Sequence, residues 1–535
     1  MENQNGIKKG WSQYVVLIVY LVCGFLHFFM LDKIVSPANI DEVALGCSAY
    51  AIGNYGTDRY GNSFPIYFQN FFSGQSAAYS YLTAIFVKLF GLNLFSVRFS
   101  NALFYTIAAI FVKKMADEIF NDNRLSIATL VIYTISPVLV TMGRSGLDCN
   151  FMNPVTTIAL YSIIHAINTR KTSDYIIAAV IHGISFYTYA LSYIMIPLYL
   201  ILLCVFLIRS KQITVKQTII SSGVLLILGM PIAAQLYTNI FLDEAWNIGP
   251  FTFIKMIDSR MSEININSFF PNLINTFIAW LLNDGLIYSS EHFTNYYIFS
   301  VPFILIGMVH SFCVAINDIK TNKVSGETVI LFFTISCFIG LGFISGIRTY
   351  RLNALFTPGV FYVVVGIRCI LNMFNKYKKL FSIILLSLYV ISFIDFMVYY
   401  FITDEYDKEF TSEYWYGTQP FTEEIEFIEN DPKLKNKEVF VMGMDACYLY
   451  TIFSHGEFQL DEIKKYEDRF GYAFDARYTY NDYHMEFPLK YDESAVYIIN
   501  NRNQCRQYKN DVMEQVKNKM QSKEFPYYTI YWNNN

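Results

Sequence analysis

The chain has 535 residues, 54% of them hydrophobic and only 16% charged, with 48 Phe, 42 Tyr and a formal net charge of −4. Soluble proteins average about 25% charged residues, and here the apolar residues run in long blocks, which excludes an ordinary soluble enzyme. The acidic balance gives no general basic field for nucleic acid, and the nine Cys stand at no CxxC or Cys/His spacing that indicates a zinc site or a disulfide framework.

A membrane-crossing helix needs about 20 predominantly apolar residues. The first such segment, 14–31, follows Lys8 and Lys9 and runs into Asp32 and Lys33 without a small-residue cleavage site, so it reads as an uncleaved signal anchor. Further spans are predicted at 97–117, 124–142, 153–168, 173–189, 192–209, 217–238, 296–316, 327–346, 352–371 and 380–401, about eleven in all. The segment 32–96 is a long loop between the first two spans. Two apolar stretches, 76–92 and 271–283, are short or end in Gly, and read as helices lying in the membrane interface.

Lys and Arg in short loops mark the cytoplasmic side. With the N-terminus inside, Lys113, Lys114, Arg124, Arg170, Lys171, Arg209, Lys320, Arg368 and Lys376 collect there. An odd number of crossings then puts the C-terminus outside a plasma membrane, and low Pro with abundant Asn and Lys suggests a bacterial one. From about 402 the composition turns to Asp, Glu, Lys, Asn and Tyr. A helix, strands at 438–442 and 495–499 and a polar helix are predicted there. The expected architecture is mainly α: a polytopic membrane domain, 1–401, followed by a small extracytoplasmic α/β domain, 402–535. There is no P-loop or GxGxxG to support a nucleotide-dependent reaction.

Acids and cations at the outer membrane boundary carry the chemical information. Asp41 and Glu42 follow the first span, where a partly desolvated carboxylate can serve as a general base; equally, Asn39 or Asp41 can cap a short helix. Asp148 lies in the next outer loop, Gly143 to Asn150, again as an acid of the site or as a cap with Gly143 and Gly146 making the turn. Arg348 and Arg351 sit between the ninth and tenth spans, where a guanidinium can grip a phosphate bidentately or snorkel at a helix end. Arg59 and Arg260 are weaker versions of the same pattern. His27, His165, His182 and His310 lack partners at metal spacing and read as packing residues.

The segments NIDEVALGCSAYAIGNYG, YLTAIFVKLFGLNLFSVR and GRSGLDCNFMNP, in this order after a first span, resemble the GT-C fold glycosyltransferases. The likeness is to the branch using polyprenyl-phosphate sugars, with the protein O-mannosyltransferases and lipid A aminoarabinose transferases. FYTYALSYIMIPLYL, NDGLIY and RLNALFTPG support it, and the resemblance covers about residues 10–400. It implies that Asp41 is the catalytic acid that deprotonates or orients the acceptor, with Glu42 beside it and Asp148 shaping the acceptor site. Arg351 would be the counterion of the lipid phosphate, helped by Arg348, Arg260 or Arg59. Arg144, Asn150, Asp284, Tyr288 and Asn353, within these motifs, would position substrate. One departure stands out: Ser73 to Ala78 replaces the Lys-Pro-Pro of the aminoarabinose transferases, so donor phosphate contacts must come from elsewhere.

The implied reaction is inverting transfer of a sugar from a polyprenyl phosphate, undecaprenyl phosphate in a bacterium, to a cell-envelope polysaccharide, glycolipid or protein. Isoprenoid tails would lie in an apolar groove between spans. The sequence requires no cofactor and offers no metal-ligand cluster, although a divalent metal bridging phosphate and acids is chemically conceivable. Rival readings are a lipid-linked sugar flippase, which would place charges near the bilayer midplane, a polysaccharide polymerase or ligase, and an anchored binding protein working through its tail.

Overall fold

Long apolar runs fold as helices because hydrocarbon offers backbone groups no partner outside the segment. The computed structural model describes residues 2–35, 38–70, 73–256, 263–283, 290, 292–344, 346–403, 405–407, 420–442, 447–460, 479–480, 483–484, 488, 490–501 and 511–534. Its bundle comprises α1 (Glu2–Phe28), α4 (Leu94–Phe120), α5 (Asn123–Ile135), α6 (Pro137–Gly143), α7 (Asp148–Thr169), α8 (Thr172–Ser185), α9 (Ser192–Arg209), α10 (Val215–Phe241), α12 (Val301–Thr321), α13 (Gly326–Gly342), α14 (Asn353–Met373) and α15 (Lys378–Met397). Between them lie α2 (Ile40–Tyr55), the hairpin β1 (Tyr67–Asn70) and β2 (Ser73–Ser76), α3 (Ala77–Phe90), the hairpin β3 (Trp246–Ile248) and β4 (Phe251–Phe253), and α11 (Phe269–Leu281).

Each predicted span overlaps a helix of this set, although 124–142 is divided between α5 and α6. Among the described residues six helices are long and apolar enough to cross a membrane, and α5 with α6, bent by 57° at their junction, would make a seventh. Pro137 causes the bend by opening α6 at its first position. The apolar parts of α1 and α13 are shorter, Ser12–Phe28 and Gly326–Gly342. The helix α7 begins at Asp148, a turn ahead of the predicted span, so this acid belongs to a helix and not to a loop.

Helix packing relies on small and polar residues, as lipid tails supply no hydrophobic drive between helices. On α12 and α14, Gly307 and Gly366 let the backbones touch: a Cβ at either would overlap the Tyr362 or the Phe303 carbonyl. The helices α7 and α14 are joined by a buried ladder. Asn153 Nδ2 donates to Asn353 O at 2.7 Å, Asn353 Nδ2 to Asn150 Oδ1 at 3.1 Å, and Thr157 to Thr357 at 2.8 Å.

The apolar stretches 76–92 and 271–283 fold as the helices α3 and α11. Phe270, Ile274, Ile278 and Leu282, spaced by four, leave an apolar stripe exposed along α11. The C-terminal part contains α16 (Thr422–Asn430), β5 (Val439–Met442), α17 (Cys447–His455), β6 (Thr479–Tyr480), β7 (Tyr483–His484), β8 (Val496–Asn500), α18 (Asp511–Lys519), β9 (Gln521–Glu524) and β10 (Tyr528–Trp532). Its mixed sheet runs β6-β7-β5-β8-β10-β9, with β5 parallel to both neighbours. Beyond the two strands expected from sequence, the sheet gains four, of which β9 and β10 form a hairpin on the β8 side. This part shares one core with residues 38–97: Val43, Cys47 and Val97 pack with Phe453, Val496 and Ile530. The hydroxyl of Tyr450 donates to Ala38 O at 2.9 Å across the same contact.

Candidate active site

The expected outer loop 32–96 is largely regular structure, and its first helix explains the Asn-Ile-Asp-Glu motif. Asn39 caps α2 and Glu42 reaches back to the Asn39 N–H at 3.1 Å, a capping box. Glu42 does more than cap. Its two oxygens meet Arg98 Nε and Nη2, both at 3.0 Å, and it also accepts from the Gly146 N–H. Arg98 in turn donates to Val35 O at 2.8 Å and Leu31 O at 3.2 Å. Glu42 is 1% exposed, so with Arg98 it ties the segment following α1 to α2, α4 and the turn before α7.

Asp41, one position earlier, points elsewhere and is half-buried. Its Oδ1 accepts from Asn70 Nδ2 at 2.8 Å at the end of β1. Asn70 Oδ1 accepts from Arg59 Nη2 at 2.9 Å. The same guanidinium also donates to Ala44 O at 3.0 Å and to the Tyr60 hydroxyl at 2.8 Å. Arg59 is 0% exposed. It therefore holds the Asn70 amide in place, and the expected phosphate contact is replaced by a structural one. Next to it, burial pushes the Asp58 carboxyl above its ordinary range, opposed by hydrogen bonds from Asn62.

The second acid meets the other strand of the same hairpin. Asp148 Oδ2 accepts the Ser76 N–H at 2.9 Å, at the last residue of β2, and Oδ1 accepts the Cys149 N–H at 2.8 Å. Strand pairing sets Tyr67 opposite Ser76 and Asn70 opposite Ser73. One four-residue ladder thus carries Asp41 at one end and Asp148 at the other. The turn ahead of Asp148 is pinned by Asn101 Nδ2, which donates to Ser145 O at 2.7 Å and Leu147 O at 2.9 Å.

Of the remaining predicted residues, Arg144 lies 2% exposed and closes the end of α1, with Nη1 on Leu26 O at 2.9 Å and Nη2 on Met30 O at 3.2 Å. Asn150 and Asn353 lie in the buried ladder between α7 and α14. These three hold helices together through backbone carbonyls and one another. Arg260, Asp284 and Tyr288 lie outside the described residues.

Arg351 faces a cavity of about 260 Å³ lined also by Tyr67 and Gly74 of the hairpin, Tyr189, Tyr193 and Glu263. Its Nη1 pairs with Glu263 Oε2 at 2.7 Å. Arg348 is half-buried at the turn before it. A second cavity, of about 620 Å³, lies between α8, α9 and α10 and is bordered by Tyr175, His182, Pro197, Leu226 and Met230. No cluster of three or more His, Cys, Asp or Glu stands at metal-binding distance among the described residues.

Sequence reading missed Arg98, Asn70, Ser76 and Glu263. Arg98 had a trace in the sequence, an Arg near the start of an otherwise apolar helix, which demands a buried partner. The others are ordinary polar residues until the fold brings them to the acids or to the cavity.

Residues 75–237 match the family model described as dolichyl-phosphate-mannose-protein mannosyltransferase. No curated protein matches the sequence. Among solved structures, ArnT from Cupriavidus metallidurans in the apo state superposes with a TM-score of 0.54 at 11% identity, over 98% of both chains. The same protein bound to undecaprenyl phosphate gives 0.50 at 10%, again over 98% of both. The oligosaccharyltransferase AglB from Archaeoglobus fulgidus, in complex with an inhibitory peptide and a dolichol-phosphate, matches at 13% identity and a TM-score of 0.46 over 85% of this chain. The present chain spans 64% of that protein's length. The likeness to ArnT over nearly the whole length, with the family match across the segment holding Arg98 and Asp148, gives the chain the GT-C fold of the polyprenyl-phosphate-dependent glycosyltransferases that its sequence resembles.

Proposed function

We propose that this protein is an inverting glycosyltransferase that moves a sugar from a polyprenyl phosphate to a cell-envelope acceptor at the outer face of a membrane. The observation that carries the reading is the placement of Asp41 and Asp148 at the two ends of one hairpin, each held by a hydrogen bond from it. A hairpin is a rigid spacer, and two acids fixed on it are pre-oriented for one reactant. Asp41, the more accessible, takes the proton of the acceptor hydroxyl. The hydroxyl oxygen attacks the anomeric carbon from the face opposite the phosphate, the carbon–oxygen bond to phosphate breaks, and its electron pair leaves on the polyprenyl phosphate. Asp148 orients the acceptor.

Arg351 at the cavity, with Arg348 beside it, neutralises the charge that grows on the leaving phosphate. The 620 Å³ cavity between α8, α9 and α10 has the apolar character an isoprenoid tail needs. We take the apolar helices as about eleven crossings with the N-terminus in the cytoplasm. Residues 32–96 and the part from 402 onward then stand outside as the acceptor side. No metal is assigned a role.

The purified chain, given a polyprenyl-phosphate sugar and membrane acceptors, should release polyprenyl phosphate. Asp41→Asn should lower turnover by about 10²–10⁴-fold, the range for a lost general base, at unchanged melting temperature. Full turnover in that variant removes Asp41 as the base. Mass spectrometry of surface glycans from cells lacking the protein identifies the sugar and acceptor.

A further inference from the structure

The two charged residues lining the 260 Å³ cavity are paired with each other, Arg351 Nη1 to Glu263 Oε2 at 2.7 Å. The partners are unequally held. Arg351 sits in a short helical turn whose N–H donates to Arg348 O at 2.9 Å, directly ahead of Asn353, whose amide is tied to Tyr350 O at 2.6 Å and Asn150 at 3.1 Å. Its side chain is 11% exposed and that of Glu263 is 29% exposed. The backbone beside Glu263 is pinned, since Ile264 bridges Ile344 and the Asn265 N–H donates to Phe343 O at 2.8 Å. Rotation of the Glu263 side chain would break this pair without moving the backbone on either side, while Tyr350 stays against the guanidinium.

We infer that Glu263 is a positioning residue that competes with the phosphate of the lipid donor and product for Arg351. This rests on the polyprenyl phosphate reading above. The geometry gives the competition a purpose. A donor in which phosphate links lipid and sugar carries one negative charge. Once the sugar has left, the phosphate is a monoester with a second ionisation near pH 6, so its charge approaches −2. Arg351 then holds the product more firmly than the substrate, and an adjacent carboxylate returning to the guanidinium drives the product out. Hydroxyls and apolar groups fill most of the remaining lining, so the Arg–Glu pair is what responds to the ligand's charge.

Binding of undecaprenyl phosphate to the full chain in detergent micelles tests this, with phosphatidic acid and inorganic phosphate as parallel probes. Glu263→Gln should bind undecaprenyl phosphate about two- to fivefold more tightly than the native chain, the range for releasing a partly exposed ion pair, and Glu263→Asp should fall between. The gain should vanish in an Arg351→Gln background. A merely structural Glu263 predicts the opposite sign, weaker binding with a lower melting temperature. Equal or weaker binding in both Glu263 variants overturns the inference, as does a gain that survives loss of Arg351. A gain of the same size for phosphatidic acid or inorganic phosphate overturns its assignment to the polyprenyl lipid. Absence of undecaprenyl phosphate binding by the native chain removes the donor reading as well, whereas binding without the predicted gain removes only the role of Glu263.

Discussion

Arg98 meets Glu42 at two points, Nε on Oε1 and Nη2 on Oε2, each at 3.0 Å, with both side chains almost fully buried. Because Glu42 directly follows Asp41, this pair fixes the first turn of α2 and with it the origin from which Asp41 projects. Two adjacent acids thereby take different tasks: one is enclosed by a cation, the other left half-buried beside an amide.

Removing one half of a buried ion pair leaves an uncompensated charge and costs about 3–5 kcal/mol. Arg98→Met should accordingly lower the melting temperature sharply in detergent. Combining it with Glu42→Gln should recover part of the loss, because no buried charge is then left alone. An additive double variant would contradict the pairing.

Asn70 has no acid or base of its own to contribute, yet it holds Asp41 at 2.8 Å and is itself held by Arg59 at 2.9 Å. Asn70→Ala should reduce turnover by about 10–100-fold, the order expected when a reacting group drifts by about 1 Å. The loss should be smaller than that of Asp41→Asn, since the carboxylate remains. Steady-state kinetics on both variants checks the order.

Ser76 separates backbone from side-chain effects. Its N–H serves Asp148, while its hydroxyl makes no capping bond and has no partner. Its φ of −73° suits proline. Ser76→Ala should be nearly neutral, whereas Ser76→Pro removes the donor, crowds Asp148 and should cost about 1–3 kcal/mol, with most of the turnover. Thermal melts and product release read the two apart.

The close crossing of α12 and α14 depends on two missing side chains. Gly307→Ala or Gly366→Ala places a Cβ against a partner backbone carbonyl, where no side-chain rotation relieves the overlap. Either should destabilise by about 1–3 kcal/mol, the usual cost of overpacking, whereas Gly223→Ala on α10, with open space around it, should not. Melting curves of the three variants provide the comparison.

Burial raises the Glu424 carboxyl from 4.5 to about 7, with Glu423 beside it adding repulsion. The folded state therefore holds this proton more tightly than the unfolded chain. Its contribution is complete below pH 4.5 and lost as the pH rises through about 7. Glu424→Gln should flatten the stability profile across that window and raise stability at pH 8 by on the order of 1–3 kcal/mol, as read from melting temperature against pH.

Periodicity and apolar length located the helices, because a segment in hydrocarbon satisfies its own backbone and needs no distant partner to define it. The capping motif at Asn39 and Glu42 was equally local, and so was legible as a helix start. In the C-terminal part, β5 and β8 were visible as short β-branched and aromatic runs, while β9, Gln521–Glu524, is fully exposed and carries no apolar pattern. It exists because β10 offers it a hydrogen-bonding edge.

The sequence by itself determined that this is a many-helix membrane protein and which glycosyltransferase fold it resembles, and it singled out Asp41 and Asp148 as candidate acids. Each of those rests on residue type and order along the chain. Only the tertiary structure decided what each charge does: Glu42 and Arg59 are buried struts, Arg144 closes a helix end, and Asp41 and Asp148 flank one hairpin. The same carboxylate or guanidinium can cap, brace or bind. Which of these it does depends on the donor or acceptor brought within about 3 Å of it, and the groups that meet here lie up to 104 residues apart in sequence around Glu42 and 88 at Arg351.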